Sequence, residues 1–306
     1  MKVLITGGAG FVGTNLSFEL LKNGFGVKII DDLSTGLKEN IPAEVEFINQ
    51  SFVDSAQIKK AIKDCDVVVH LGARGSVPRS IKNPIATHDV NSTGTLNVLE
   101  AARHNGSHFI FSSSSSVYGS NKTLPKHEEM VLKPMTPYAA SKLSGEALSL
   151  AYAKTYDLPV SVFRFFNIYG PWQRPDHEYA AVIPRWINNC IHDEPIEIYG
   201  SGEQTRDFTY VETVVKVILD CISNKVLHPE PVNLAYGNNI TLNQVANLLN
   251  DSFSRMKRVY KPARDGDIPH SKNQPNLIKS LYPNIESHAF EDSFQKTLQW
   301  FLTKTK

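Results

Sequence analysis

The sequence predicts a doubly wound α/β protein: a parallel sheet with helices on both faces, followed by a smaller C-terminal α/β lobe. Three observations predict it. Short β-branched runs alternate with helical patterns over the first half of the chain, the pattern of successive β-α-β crossovers. A glycine-rich turn, GGAGFVG, joins the first strand to the first helix. Beyond Tyr169 the alternation gives way to proline-rich, polar sequence beginning GPWQRPDHEY, and later elements are irregularly spaced.

The elements follow in order. Residues 2–6, KVLIT, are an apolar run stopped by glycine and predict a buried strand. Residues 12–23 carry helical spacing and end before Gly24. Strands are expected at 27–30, 45–49 and 67–71, with helices over 55–63 and 92–104. The run FIF within 108–112 predicts another strand, 138–156 a long helix, and 160–166 a further strand. Six or seven parallel strands are thus expected before residue 167. No internal repeat appears, and the serine tract at 112–116 is the one low-complexity feature.

With 306 residues and 41% hydrophobic content, the chain can bury a large core as one α/β domain or two joined ones. Its 32 basic and 31 acidic residues leave a net charge of +1, so no overall field draws it to nucleic acid or an anionic membrane. The basic stretch RMKRVYKPAR reads as a solvated face. Three widely spaced cysteines, Cys65, Cys190 and Cys221, lack the paired spacing of a zinc or dithiol site, so no metal is expected and a reducing compartment fits. The opening MKVLITGGAG is too short an apolar run for a signal-peptide core, and no stretch of about 18 apolar residues occurs. The cytoplasm is the expected location.

Gly7, Gly10 and Gly13 follow a G-x-x-G-x-x-G spacing, which suits a tight turn, close approach of backbone to a pyrophosphate, and close packing of helix on sheet. Strand before, helix after, and Asp31 18 residues beyond Gly13 give it context. A carboxylate there accepts hydrogen bonds from an adenosine ribose and repels the extra phosphate of NADP, so NAD is the expected cofactor of a Rossmann-type fold.

Tyr138 and Lys142, in TPYAASK, are four residues apart and share a helix face. Taken alone, the pair reads as helix-surface chemistry. As a catalytic pair it needs the phenol's pKa lowered from about 10 by some three units, roughly 4 kcal/mol, which an ammonium and an oxidised nicotinamide together could supply. The five serines end a strand at the sheet edge where open α/β proteins bind ligands, so they lie beside the cofactor rather than in a linker.

Taken together, TGGAGFVG, DDLSTG, HLGA, VPRSIKNP, SSSSSVYG, TPYAASK, RFFNIYGPWQ, GSGEQTRDFTYV and the DGD near residue 266 closely resemble the extended short-chain dehydrogenase/reductases, and within them the nucleotide-sugar epimerase/dehydratase family. The resemblance covers nearly the whole chain. It implies a NAD-binding domain over 1–166, with the chain returning to it around 207–235, and a mainly UDP-sugar-binding lobe over 167–306. It implies the catalytic trio Ser114, Tyr138 and Lys142, the lysine holding the nicotinamide ribose. Implied cofactor contacts are Gly7, Gly10, Phe11, Val12, Asp31, Asp32, Leu33, Ser34, Thr35, Gly36, Ser51, Phe52, Leu71, Gly72, Ala73, Asn91, Ser112 and Phe166, with Tyr138 and Lys142. Ser51 departs from the family, which usually has an acidic residue there; its bond to adenine lacks charge assistance.

Dehydratases of the family carry an Asp-Glu pair after the serine or threonine, and decarboxylating relatives a glutamate; here Ser115 and Ser116 occupy those positions, so elimination lacks its acid and base. Four-epimerisation through a transient 4-keto sugar remains. Ser114, Ser115, Ser116, Tyr138 and Asn167 are implied substrate contacts, with Arg206 and Arg264 on the phosphates, Asp267 on the uridine ribose and Tyr199 near uracil. Ser76, Ala181 and Val182 are implied sugar contacts. Ser271 stands at the position that gates the C2 substituent, and a small residue leaves room for N-acetyl. UDP-N-acetylglucosamine is therefore the expected substrate, UDP-glucose a second. A hexuronate is an alternative, its carboxylate taken by Arg79 or Arg185. A binding protein without catalysis is a reading of another class, as is a reductase releasing NADH. A homodimer is implied by the family, through the helices at 92–104 and 138–156.

Overall fold

The chain opens on a β-α-β unit, β1 (Lys2–Thr6), α1 (Phe11–Lys22) and β2 (Gly26–Ile30), and continues through β3 (Glu46–Ile48), α2 (Ser55–Ala61) and β4 (Val67–His70). Two short helices, α3 (Val77–Lys82) and α4 (Pro84–His88), then lead through a π-turn at Asp89–Thr93 into α5 (Gly94–Asn105). The strand β5 (His108–Ser114), helix α6 (Pro137–Tyr156) and strand β6 (Val160–Phe165) follow. Beyond them come β7 (Asn167–Tyr169), α7 (Val182–Ile191), β8 (Ile196–Tyr199), β9 (Thr205–Arg206), β10 (Phe208–Tyr210), α8 (Val211–Asn224) and β11 (Val232–Leu234). The chain closes with β12 (Ile240–Thr241), α9 (Leu242–Ser252), β13 (Arg258–Lys261), α10 (Asn276–Leu281) and α11 (Phe290–Lys304). The computed structural model describes residues 1–176, 180–263 and 269–304.

Seven strands form one parallel sheet in the order β11-β6-β5-β4-β1-β2-β3. Six of them precede residue 167, and the seventh is β11, three residues too short to carry a periodic signal. Parallel strands covered on both faces read as continuous apolar runs. Accordingly Leu4, Val68, Phe109, Phe111 and Val162 pack with Ile58, Val98 and Leu99 from the helices into one core. The expected helix at 92–104 begins instead at Gly94, behind the π-turn. The helices at 77–88 escaped the pattern because each is barely more than a turn and is set by caps, Ser76 on the Arg79 N–H and Asn83 on the Ala86 N–H.

The chain divides into two compact units. The first comprises Met1–Lys122, Glu128–Phe165 and Val215–Leu234, and the second Thr123–His127, Phe166–Val214 and Ala235–Lys306. The second has three two-stranded ladders, β7 with β10, β9 with β12 and β8 with β13. Its core is aromatic: Tyr169 meets Phe208 edge to face, Phe208 stacks on Phe290, Phe290 packs tilted against Phe294, and the Tyr169 hydroxyl bonds Ser293 at 2.6 Å. Asp207, fully buried, accepts three backbone N–H groups, from Asn273 at 2.8 Å and from Gly237 and Asn238 at 3.1 Å. Burial raises its carboxyl to about 7 in spite of those three donors. Among the described residues no helix is long and apolar enough to cross a membrane.

Candidate active site

The first unit gathers its chemistry at the carboxyl ends of β1, β2, β4 and β5. Gly7 leaves β1 with φ +69°, and a Cβ there would lie 2.6 Å from the Gly72 Cα, so two strand exits meet backbone to backbone. A Cβ on Gly13 would likewise stand 2.6 Å from the Gly8 Cα, so α1 can start that close only with glycine. Gly10 caps α1 without any side-chain acceptor. The first-turn N–H groups of Phe11 and Val12, at the positive end of the helix dipole, therefore suit a pyrophosphate.

Asp31, 7% exposed at the end of β2, ties two loops together. Its Oδ2 accepts the Ala9 N–H at 3.0 Å and its Oδ1 the Leu33 N–H at 2.8 Å. Burial raises the carboxyl pKa, and these two donors partly offset it. Asp32 holds the Ser34 N–H at 3.0 Å, and a Cβ on Gly36 would touch Ala9 at 2.7 Å, so 32–36 folds back on the glycine turn. The Ser51 hydroxyl accepts the Val53 N–H at 3.3 Å, and Phe52 covers Gly72 and Gly94, where no Cβ would fit beneath it. These residues form a glycine cradle with an acidic end, which fits NAD.

At the end of β4 lies a buried relay. Thr6 Oγ1 meets His70 Nδ1 at 2.6 Å, and His70 Nε2 meets Thr95 Oγ1 at 2.9 Å. Thr95 gives its proton to the Asn91 carbonyl at 2.6 Å, and Thr6 receives the Gly72 N–H at 3.2 Å. The ring is therefore neutral with its proton on Nε2, donated to Thr95. Burial, then the charge of Lys142, depress His70 to about 3, consistent with that state. Asn91, in the π-turn, accepts the Arg74 N–H at 2.7 Å and donates to Ser141 Oγ at 3.0 Å. Leu71 and Ala73 flank Gly72 in the same exit.

The serine tract and α6 supply the reactive groups. Thr136 caps α6 on the Ala139 N–H, with Pro137 opening the first turn, so Tyr138 and Lys142 stand on successive turns of a well-anchored helix. The Ser114 hydroxyl bonds the Tyr138 phenol, and that bond lowers a phenol pKa which burial raises. Lys142, 5% exposed, donates to the Ser112 carbonyl at 2.7 Å and lies 5.1 Å over the Phe111 ring. Burial lowers its ammonium to about 8. No carboxylate of the described residues pairs with it, which keeps its positive charge available to a phenolate.

Glu146, one turn beyond Lys142, is committed elsewhere. It forms a buried two-point pair with Arg164 of β6, at 2.5 and 3.1 Å, and receives the Ser113 hydroxyl at 2.8 Å. Arg164 also donates to the Tyr118 hydroxyl at 2.9 Å, which donates to Asn233 of β11 at 2.7 Å. This network holds the serine strand against α6. Ser115 and Ser116 open a 3₁₀ turn, and the buried Ser116 hydroxyl has no hydrogen-bond partner among the described residues.

The second unit holds the other expected contacts. Val182, Tyr199 and Arg206 line one cavity of about 180 Å³ together with Arg185, Trp186, Glu197 and Gln204. Tyr199 donates to Glu197 at 3.0 Å and its carbonyl accepts Gln204, while Lys261 holds the Glu197 carboxyl below its ordinary pKa. Ala181 caps α7 beside the cavity. The Ser271 N–H bonds the Thr205 carbonyl at 3.1 Å, which sets Ser271, the expected gate, next to Arg206. Asn167 opens β7, and Phe166, 9% exposed, precedes it. Arg264 and Asp267 lie outside the described residues.

Sequence reasoning missed His70, Arg74, Glu146 and Arg164. A signal existed for two of them: Glu146 continues the i, i+4 row of Tyr138 and Lys142, and Arg164 interrupts the apolar run VSVFRF.

Known proteins resemble this chain over most of its length. A profile described as the NAD dependent epimerase/dehydratase family matches residues 3–235. A putative UDP-glucose 4-epimerase of Methanocaldococcus jannaschii is 35% identical over 270 residues, 87% of this chain and 87% of its own. The UDP-glucose 4-epimerase of Thermotoga maritima, solved with UDP-glucose, superposes over 100% of both chains at a TM-score of 0.95 and 33% identity. The UDP-N-acetylglucosamine 4-epimerase of Methanobrevibacter ruminantium M1, solved with UDP-N-acetylmuramic acid, superposes at 0.92 with 34% identity, over 99% of this chain and 98% of that one.

Proposed function

The chain belongs to the NAD dependent epimerase/dehydratase family, and on that premise we propose that it inverts C4 of a UDP-hexose, converting UDP-N-acetylglucosamine to UDP-N-acetylgalactosamine and acting also on UDP-glucose. The observation that carries the reading is the trio: Ser114 bonded to Tyr138, with the Lys142 ammonium, which no carboxylate of the described residues neutralises, one turn along. NAD, held by the glycine turn, Asp31 and Lys142, would supply the hydride acceptor and donor for C4 and a cationic ring that favours the phenolate. Tyr138 removes the O4 proton during oxidation and gives it back during reduction. Ser114 holds O4 and the phenol in line, and Lys142 keeps the phenolate charged. Ser115 and Ser116 offer no acid or base at neutral pH, which argues against dehydration and decarboxylation. Gly7, Gly10, Phe11, Val12, Asp31, Gly36, Phe52, Gly72 and Asn91 form the NAD site in this proposal. Val182, Tyr199, Arg206 and Ser271 with Arg264 and Asp267 form the UDP-sugar site. The working form is a cytoplasmic homodimer joined through α5 and α6.

The test is incubation with a panel of UDP-sugars, without added coenzyme, followed by separation of C4 epimers. Wild type is expected to equilibrate UDP-N-acetylglucosamine with its C4 epimer, and Tyr138→Phe to lose at least about a hundredfold in rate. Full activity in Tyr138→Phe would remove the proposed base. A wild type that binds NAD and UDP-sugars yet turns over none of them would favour the binding-only reading.

A further inference from the structure

We propose that Arg74 is an oxyanion-binding residue at the carboxyl edge of the sheet, set to pair with an anionic group of the bound ligands. The group is the carboxylate of an acidic UDP-hexose or the pyrophosphate of the dinucleotide. The inference rests on the functional reading above and extends it to the charge of the ligand.

Three observations place the residue. Arg74 follows Gly72 and Ala73 at the carboxyl end of β4, the edge at which doubly wound sheets take their ligands. Its main chain is clamped on both sides by the buried Asn91 side chain, which accepts the N–H at 2.7 Å and donates to the carbonyl at 3.4 Å. The same Asn91 amide reaches Ser141 Oγ, and Ser141 donates to the Tyr138 carbonyl at 2.8 Å. Arg74 is thereby tethered through two side chains to the turn that carries the proposed base.

The third observation concerns its guanidinium. Its Nε is buried and has no hydrogen-bond partner among the described residues. The contrast with two other arginines of the first unit is chemical: Arg103 pairs with Glu100 at 2.9 Å and Arg164 with Glu146 at 2.5 Å. A buried guanidinium donor left without an acceptor is unfavourable, and one at a ligand-binding edge gains its acceptor when the ligand arrives. The planar fork matches two oxygens of a carboxylate or a phosphate, so the ligand class is an oxyanion.

Arg74→Gln and Arg74→Lys separate the two sources of that oxyanion. Purified holoenzymes are compared by NAD content after denaturation and by calorimetric titration with UDP-N-acetylglucosamine and UDP-glucuronate. If Arg74 pairs with a sugar carboxylate, Arg74→Gln weakens UDP-glucuronate by roughly 10- to 100-fold while NAD content and the neutral sugar stay at wild-type values. If it pairs with the pyrophosphate, NAD content falls and both sugars weaken alike. In either case Arg74→Lys restores part of the loss, because it keeps the charge without the fork. Wild-type NAD content and affinities in Arg74→Gln, beside a functioning wild type, overturn the inference alone. A wild type that holds no NAD and binds no UDP-sugar brings down the functional reading and this inference with it.

Discussion

Lys142→Met isolates the energetic cost of keeping a bare cation inside the site. The ammonium is buried with no carboxylate of the described residues beside it, and burial takes its pKa from 10.5 to about 8. A lysine with a depressed pKa opposes folding wherever it must be charged. That cost is fully present below about pH 8 and disappears as pH rises through 10.5, the unfolded value. The gap of roughly 2.5 units corresponds to about 3 kcal/mol. Methionine fills the same volume without charge but orphans the Ser112 carbonyl, which costs about 1–2 kcal/mol. The variant is therefore expected to be about 1–2 kcal/mol more stable than wild type at pH 7, and less stable by a similar amount at pH 10.5. Urea unfolding of both proteins at several pH values between 7 and 10.5 measures the crossing. Epimerase activity in the variant should fall by about 10²–10³, since the phenol loses the charge that favours its ionisation. A stability difference that does not change with pH, or a variant with wild-type turnover, would refute the reasoning.

Two further outcomes test the supports and the gate. Glu146→Gln leaves Arg164 buried with no counter-charge and should cost about 3–5 kcal/mol in denaturant unfolding, whereas the double change Glu146→Met, Arg164→Met should recover most of it; equal losses in both proteins would refute the pairing argument. Ser271→Tyr should abolish turnover of UDP-N-acetylglucosamine while UDP-glucose turnover survives, and a parallel loss of both would count against a gate at that position.

Where function depends on local backbone and helix geometry, the sequence by itself determined the outcome. The glycine spacing from Gly7 to Gly13 dictates a turn that only glycine can make, and Asp31 follows at the end of the next strand. Tyr138 and Lys142 share a helix face because four residues make about one turn. The parallel sheet was legible in its apolar runs. Only the tertiary structure decided which distant groups neutralise one another. Glu146 is spent on Arg164, 18 residues away, and not on Lys142, one turn away. His70, kept neutral by burial, is oriented by Thr6, 64 residues distant, and Tyr118 finds Asn233 across 115 residues to hold the three-residue strand β11. Such pairings leave no periodic trace in a single chain, because charge and hydrogen bonding are satisfied by proximity in space. Periodicity reports which face of an element is buried, and says nothing of the partner it is buried against.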